Sequence, residues 1–126
     1  MLKPLRHPRR WLGAWWLAIA ITVVVCLVPG PDLPRTPPGG DKIEHFLAYF
    51  LLAAAAVQLY ATRRALWIVA AGLVALGIAI EFAQGAFTTT RAMDAWDAVA
   101  DAVGVAAGMA TAWTPLRDVL LRIERR

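Results

Sequence analysis

The stretch WLGAWWLAIAITVVVCLV, from Trp11 to Val28, contains 18 consecutive residues without a charge. A helix rises about 1.5 Å per residue, and about 17–25 apolar residues cross the hydrocarbon core of a bilayer. A basic segment precedes the stretch, as in a cleaved signal peptide. However, the run ends in Val28-Pro29-Gly30-Pro31 without an A-x-A-like cleavage site. We therefore interpret it as a retained transmembrane helix.

The composition of the chain agrees with a membrane protein. Of its 126 residues, 60% are hydrophobic and 17% are charged, whereas soluble domains are about half apolar and a quarter charged. The net charge of +4 does not indicate nucleic-acid binding, because the basic residues form short clusters at the ends of apolar runs. A single cysteine, Cys26, cannot form an internal disulfide.

Three further apolar stretches follow, over residues about 43–61, 65–86 and 92–113. Each carries acidic residues near one end. The connections are rich in proline and glycine or are short and polar, so they end the helices. The sequence therefore predicts an all-α fold, in which residues 1–126 form one domain and a bundle of four transmembrane helices at about 11–28, 43–61, 65–86 and 92–113.

The chain after Pro115 has a different pattern. Leu116, Val119, Leu120 and Ile123 fall on one side of a helix, and arginines surround them. This pattern predicts a short C-terminal amphipathic helix that lies on the membrane surface.

Lysines and arginines are distributed unevenly across the predicted membrane. Of the 13, four precede the first span, two lie in the hairpin between the second and third spans, and four follow the fourth span. The three on the other side are Arg35, Lys42 and Arg91. Because cytoplasmic loops carry the excess of Lys and Arg, both termini are predicted to be cytoplasmic.

Acidic side chains have the opposite distribution. Seven of the nine fall in the predicted outer half: Asp32, Asp41, Glu44, Glu81, Asp94, Asp97 and Asp101. Asp41 and His45 are four residues apart, and Glu81 and Gln84 are three apart, so each pair shares a helix face.

The fourth predicted span carries a stripe of related residues. Asp94, Asp97 and Asp101 are spaced by three and four residues, and Gly104 and Gly108 continue the stripe inward. Small residues at this spacing let another helix approach closely. The stripe is therefore expected to face the interior of the bundle.

Together these helix ends predict one polar site. Five carboxylates oppose two cationic side chains there: Asp41, Glu81, Asp94, Asp97 and Asp101 against Lys42 and Arg91. Unpaired charges within a membrane are costly. We therefore expect the site to bind a cation or to hold protons on its carboxyl groups.

Three of these motifs also resemble those of a known family. The run Asp41-Lys42-Ile43-Glu44-His45-Phe46 resembles the D-K-x-x-H-F signature of VanZ-like membrane proteins, and Glu81-Phe82-Ala83-Gln84 resembles their E-x-x-Q. The stretch from Arg91 to Gly108 resembles their R-x-x-D-x-x-D-x-x-x-N-x-x-G-x-x-x-G. This chain departs from that pattern at Asp101, where the family usually has asparagine. The resemblance implies a multi-pass protein of the bacterial plasma (inner) membrane that acts at the cell envelope, with a link to resistance against the glycopeptide teicoplanin.

Catalytic and binding roles can be predicted for individual side chains of the polar site. Glu81, His45 and Asp97 are predicted to be catalytic, with Glu81 and His45 as an acid–base pair. The predicted substrate-binding residues are Asp41, Lys42, Gln84, Arg91, Asp94 and Asp101. No cofactor is predicted outright, but a divalent metal would suit Asp41, His45, Glu81 and Asp97. A structural interpretation stays open for three residues: Asp41 and Asp94 as N-caps and Arg91 in a loop ion pair.

Three functions remain open from the sequence. The first is a protein that binds or modifies a lipid or another amphiphile, such as a lipophilic glycopeptide, at the outer leaflet. The second is a small transporter or exporter subunit, although its acids would lie near one surface and not at the midplane where transport sites lie. The third is a structural protein that binds a partner through the outer segment at residues 29–40. The sequence predicts neither the oligomeric state nor whether the protein is an enzyme.

Overall fold

The structure is a computed structural model that describes residues 2–27, 40–87 and 95–124, without the side chains of Asp41 and Phe87. Its regular elements are helices: α1 (Pro8–Leu27), α2 (Gly40–Leu59), α3 (Arg63–Phe87), α4 (Ala95–Ala110) and α5 (Val119–Glu124). Two short 3-10 helices, Thr111–Trp113 and Pro115–Asp118, connect α4 to α5. The predicted all-α fold is thus confirmed for the part of the chain that the structure describes.

Three of these helices are long and apolar enough to cross a membrane. The segments are Pro8–Leu27, Lys42–Leu59 and Arg63–Gln84. Helix α4 has 16 described residues, which corresponds to a length of about 24 Å. Its C-terminal end lies three residues before the predicted one. Thr114 precedes Pro115 in an extended conformation, with φ −118° and ψ 165°, because a residue before proline is disfavoured in the helical region.

Helix α2 lies at the centre of the packing and contacts α1, α3 and α4. Its contact with α4 is the most extensive and depends on glycine. A Cβ atom at Gly104 would lie 2.5 Å from the Phe46 carbonyl oxygen, and one at Gly108 would lie 2.6 Å from the Phe50 carbonyl oxygen. The small-residue face predicted from the sequence therefore packs against another helix backbone, as expected.

Helix α1 packs on α2 through Trp15, which is 6% exposed. The indole Nε1 donates a hydrogen bond of 2.9 Å to the Leu52 carbonyl oxygen. The ring also meets Tyr60 edge to face, with 5.8 Å between centroids. A buried tryptophan keeps its N–H satisfied in this way while its ring fills the core.

The two ends of the chain meet at one end of the molecule, which we call the basic end. The Lys3 amide donates to the Leu59 carbonyl oxygen over 2.8 Å, and the Lys3 ammonium lies 2.9 Å from Asp118. The Arg6 amide donates to both carboxylate oxygens of Glu124, over 3.0 and 3.1 Å. The segments before α1 and after α4 therefore lie side by side.

The C-terminal segment is fastened to α2 by Gln58. This side chain donates to the Leu116 carbonyl oxygen over 2.7 Å and accepts from the Leu120 amide over 3.0 Å. Leu120 and Leu121 pack against the core, whereas Leu116 and Ile123 are 58% and 60% exposed. The predicted apolar stripe of the tail is thus divided between the core and the surface.

Candidate functional site

The polar residues singled out from the sequence come from three helices and lie at the end opposite the basic end, which we call the acidic end. Helix α2 contributes Lys42 and His45 from its first turns, and α4 contributes Asp97 and Asp101 from its beginning. Helix α3 contributes Glu81 near its C-terminal end. Three carboxylates thus face one lysine and one histidine among the residues described here.

The imidazole of His45 lies between two aspartates of α4. Its Nδ1 is 2.8 Å from Asp101 Oδ1, and its Nε2 is 3.7 Å from Asp97 Oδ2. Asp97 and Asp101 are one helical turn apart, so their carboxylates point the same way and accommodate one ring between them. This geometry fixes the orientation of the imidazole.

Exposure falls steadily along this row of groups. The Lys42 ammonium lies 3.2 Å from Asp97 Oδ1, and the two side chains are 40% and 11% exposed. His45 is 11% exposed at its side chain and Asp101 only 2%. The row Lys42–Asp97–His45–Asp101, called here the polar row, therefore leads from the surface into the protein interior.

A glycine of α3 makes room for the deepest carboxylate. A Cβ atom at Gly77 would lie 2.7 Å from Asp101 Oδ2, which is closer than van der Waals contact allows. Helix α3 can therefore approach Asp101 only because position 77 has no side chain. The sequence analysis did not single out Gly77, because a lone glycine in an apolar helix carries no distinctive signal.

Glu81 completes the site from α3 and is 3% exposed. Glu81, His45 and Asp101 each offer one ligand atom, and these atoms lie within 4.8 Å of one another. One imidazole and two carboxylates suit Mn²⁺ or Zn²⁺. Both imidazole nitrogens already face carboxylates, so metal binding would require His45 to exchange one of these contacts.

The metal ligands predicted from the sequence and the group found in the structure share His45 and Glu81 and differ in one described residue. The carboxylate of Asp97, a ligand in the predicted set, lies between His45 and Lys42, and its role as a ligand stays a prediction. Asp101, expected to bind substrate, is grouped with His45 and Glu81 instead. Asp101 is one turn deeper along α4, and it therefore reaches the Glu81 side of the imidazole.

Tyr49 was missed by the sequence analysis. It is 1% exposed, and its hydroxyl has no hydrogen-bond partner among the described residues. It lies one turn of α2 beyond His45, towards the protein interior. The signal was its position four residues after His45, on the same face of α2, but a tyrosine within an apolar run was indistinguishable from a core residue.

Gln84 has a contact that explains its burial. It is 2% exposed and donates a hydrogen bond of 2.7 Å to the Cys26 carbonyl oxygen. This oxygen is among the last carbonyls of α1, which have no partner within the helix. Gln84 therefore fastens the C-terminal end of α1 to α3, and its role in substrate binding stays a prediction.

Three predicted positions cannot be compared. Arg91 and Asp94 lie outside the described residues, as does the side chain of Asp41. Their proposed roles in substrate binding, in metal binding and as helix N-caps stay predictions. The described part of the site thus consists of Lys42, His45, Tyr49, Asp97 and Asp101 together with Glu81.

Comparison with known proteins does not extend this description. No protein-family model matches the chain, and neither a curated protein nor a solved structure matches it. The resemblance to VanZ-like proteins therefore stays a prediction from the three motifs.

Proposed function

We propose that this chain is a VanZ-like protein of the bacterial plasma membrane that binds, or chemically modifies, an envelope amphiphile at the outer leaflet. In this proposal its helices form a bundle of four transmembrane spans, and both termini lie in the cytoplasm. The ligand is a lipid or a lipophilic glycopeptide such as teicoplanin, which would account for a link to resistance.

The observation that carries the proposal is the position of the half-buried His45 between the buried carboxylates of Asp97 and Asp101. Ionisable side chains within membrane spans are costly and are kept mainly where they bind or react with something. A helix assembly of this size could be held together by apolar packing and glycine contacts alone, as between α2 and α4. The polar row is therefore difficult to explain by stability.

The chemistry of the site fits a headgroup rich in hydrogen-bond donors. Carboxylates only accept hydrogen bonds when ionised, and sugar hydroxyls and ammonium groups donate them. Lys42, whose side chain is 40% exposed, would meet an anionic group at the rim. His45 can accept or donate a proton, so the same arrangement could support acid–base chemistry with Glu81.

The surroundings of the site fit the apolar part of such a ligand. Phe82 and Trp96 are 62% and 68% exposed beside the acidic end. Aromatic side chains settle at the boundary between headgroups and hydrocarbon. An amphiphile could therefore place its chain along these side chains and its headgroup at the polar row.

A second candidate is an ion-coupled transporter. The decreasing exposure of Lys42, Asp97, His45 and Asp101 along the polar row would suit the movement of protons or cations towards the interior. Against it, the row begins at one end of the helices, whereas transport sites lie near the midplane. Uptake of a drug into reconstituted vesicles, driven by an ion gradient, would favour this candidate. The partner-binding alternative rests on residues 29–40, which the structure does not describe.

Binding to the purified protein in nanodiscs tests the proposal. The probes are teicoplanin, the same glycopeptide without its acyl chain, and phosphatidylethanolamine with a labelled acyl chain. We expect an acylated probe to bind and the deacylated glycopeptide to bind at least about tenfold more weakly. Since a hydrogen bond to a charged group contributes about 1.5–3 kcal/mol, His45→Gln and Asp101→Asn should each weaken binding by about tenfold or more.

Glu44→Gln provides the matched control. Glu44 precedes His45 on the same helix but is exposed, so its substitution removes a charge from the same end without touching the polar row. Equal weakening by Glu44→Gln would indicate a general charge effect and contradict the proposal. Absence of binding by both acylated probes would also contradict it.

A further inference from the structure

Helices α3 and α4 approach closely at one end and separate towards the other. At the acidic end the backbone of Gly77 lies against the Asp101 carboxylate. Towards the basic end a cavity of about 1060 Å³ opens between the two helices. Its walls include Ala70 and Val74 of α3 and Ala106 and Met109 of α4. These two helices therefore leave a space between them towards the basic end.

The floor of the cavity is apolar and belongs to the protein core. Val57 of α2 and Val105 of α4 line it, and they are 1% and 2% exposed. Small-molecule sites in proteins commonly have volumes of about 300–1,000 Å³. The space between α3 and α4 is thus large enough to hold an acyl chain against a buried apolar floor.

The same cavity has a basic mouth. Lys3, Arg63 and Arg117 line it at the basic end, and Asp118 is the carboxylate beside them. Asp118 is engaged by Lys3 at 2.9 Å and by Arg117 at 3.4 Å. Arg63 has no ion pair with a residue that the structure describes. The mouth therefore keeps an excess of positive charge.

Two tryptophans indicate how deeply this mouth lies in a bilayer. Trp67 and Trp113 line the cavity near the basic residues and are 67% and 69% exposed. Tryptophan rings at the surface of membrane proteins settle at the level of the lipid headgroups. The basic mouth consequently lies where phosphates are found, and the apolar part of the cavity lies where acyl chains are found.

We propose that this cavity binds an anionic phospholipid, with its acyl chains between α3 and α4 and its phosphate at Arg63, Lys3 and Arg117. Guanidinium groups bind phosphate through paired hydrogen bonds, and basic pockets between transmembrane helices are typical sites for anionic headgroups. This site lies at the opposite end from the polar row and does not depend on the function proposed there. A zwitterionic lipid would leave the excess positive charge uncompensated, and an apolar helix of a second copy would do the same.

Native mass spectrometry of the purified protein can test the inference. The probes are phosphatidylglycerol and phosphatidylcholine with identical palmitoyl and oleoyl chains. We expect phosphatidylglycerol to bind with at least about tenfold higher affinity and a stoichiometry of one, because it carries a net negative charge and each basic side chain contributes about fivefold to the binding of an anionic lipid. Arg63→Gln should weaken phosphatidylglycerol binding by about fivefold and phosphatidylcholine binding by less, since the choline ammonium offsets the charge of its phosphate.

Arg64→Gln is the matched control, since Arg64 is the next residue on α3 but does not line the cavity. We expect it to leave the affinity for phosphatidylglycerol within about twofold of wild type. A second variant, Ala70→Phe, fills the apolar part without changing charge and should also weaken binding. Equal affinity for the two lipids, equal effects of Arg63→Gln and Arg64→Gln, or a dimer that excludes lipid would each overturn the inference.

Discussion

At the scale of single residues, His45 is the side chain with the most constrained surroundings. Asp101 and Asp97 face its two ring nitrogens, at 2.8 and 3.7 Å. Because the two aspartates differ in their distance from the imidazole and in their exposure, we expect them to interact with His45 to different extents. Asp101, which is 1% exposed, should interact with the imidazole more strongly than Asp97, because a hydrogen bond is stronger where water is excluded.

A double-mutant cycle of His45→Gln and Asp101→Asn measures this coupling. We expect an interaction free energy of about 1.5–3 kcal/mol from unfolding titrations in detergent micelles. The cycle of His45→Gln with Glu44→Gln, whose exposed carboxylate is the sequence neighbour of His45, should give a value near zero. A coupling below about 0.5 kcal/mol for the first pair would show that the imidazole and Asp101 do not act as a unit.

Asp118 is the residue from which a pH dependence follows. The Lys3 ammonium, which hydrogen-bonds to it, holds the pKa of the Asp118 carboxyl below its usual value of 3.8. A lowered pKa in the folded state means that the ion pair stabilises the protein above about pH 4 and loses this effect as the pH falls through the folded-state pKa. The side chain is 37% exposed, so solvent screening limits the effect to at most about 1 kcal/mol.

Asp118→Asn should therefore lower the melting temperature slightly at pH 6 and leave it unchanged at pH 2. Asp97→Asn at the other end of the molecule is the comparison, because it leaves the Lys3–Asp118 pair intact. Thermal unfolding of the wild type and both variants across this pH range is the measurement. A difference between wild type and Asp118→Asn that persists at pH 2 would contradict the ion-pair explanation.

At the scale of secondary-structure elements, the contact between α2 and α4 depends on two glycines. A Cβ atom at Gly108 would lie 2.6 Å from both the Phe50 carbonyl oxygen and Ala53 Cβ. The backbone of α2 cannot yield locally, so the helices would have to separate. Gly108→Ala should reduce the free energy of unfolding by about 1–3 kcal/mol.

Gly72→Ala is the control within α3, where nothing lies within 4 Å of an added Cβ atom. It should leave the stability unchanged or raise it by up to about 1 kcal/mol, because alanine has the higher helix propensity. Unfolding titrations of the two variants under identical conditions compare them. If both glycines tolerated alanine equally, the close contact between α2 and α4 would not be a source of stability.

The elements also show what sequence patterns can predict. Helical spacing correctly indicated that Asp97, Asp101, Gly104 and Gly108 face the interior, since these residues are buried. Apolar length predicted four helices that can cross a membrane, and three of the described helices are long and apolar enough to do so. The separation of α3 from α4 was not predictable, because periodicity identifies the buried face of a helix but not its crossing angle with a neighbour. The cavity at the basic end depends on that angle.

At the scale of the whole molecule, the contacts between the two ends of the chain bear on topology. Lys3 meets Asp118 and the Arg6 amide meets Glu124, so the segments before α1 and after α4 lie at the same end. If the helices cross a membrane as proposed, the number of crossings between these two segments is even. The 16 described residues of α4 correspond to about 24 Å, compared with about 30 Å for the hydrocarbon core.

Labelling of single cysteines tests this topology in intact cells that express Cys26→Ala. Thr62, between α2 and α3, and Ala86, near the C-terminal end of α3, are both exposed. With the basic end in the cytoplasm, as the distribution of Lys and Arg predicts, a membrane-impermeant maleimide should label Ala86→Cys and spare Thr62→Cys. Arg122→Cys, on the exposed side of α5, should be protected like Thr62→Cys until the cells are lysed. Labelling of Arg122→Cys in intact cells would mean that α4 does not cross the membrane. Labelling of Thr62→Cys and protection of Ala86→Cys would place the acidic end, with the polar row, on the cytoplasmic side. No extracellular amphiphile could reach it there.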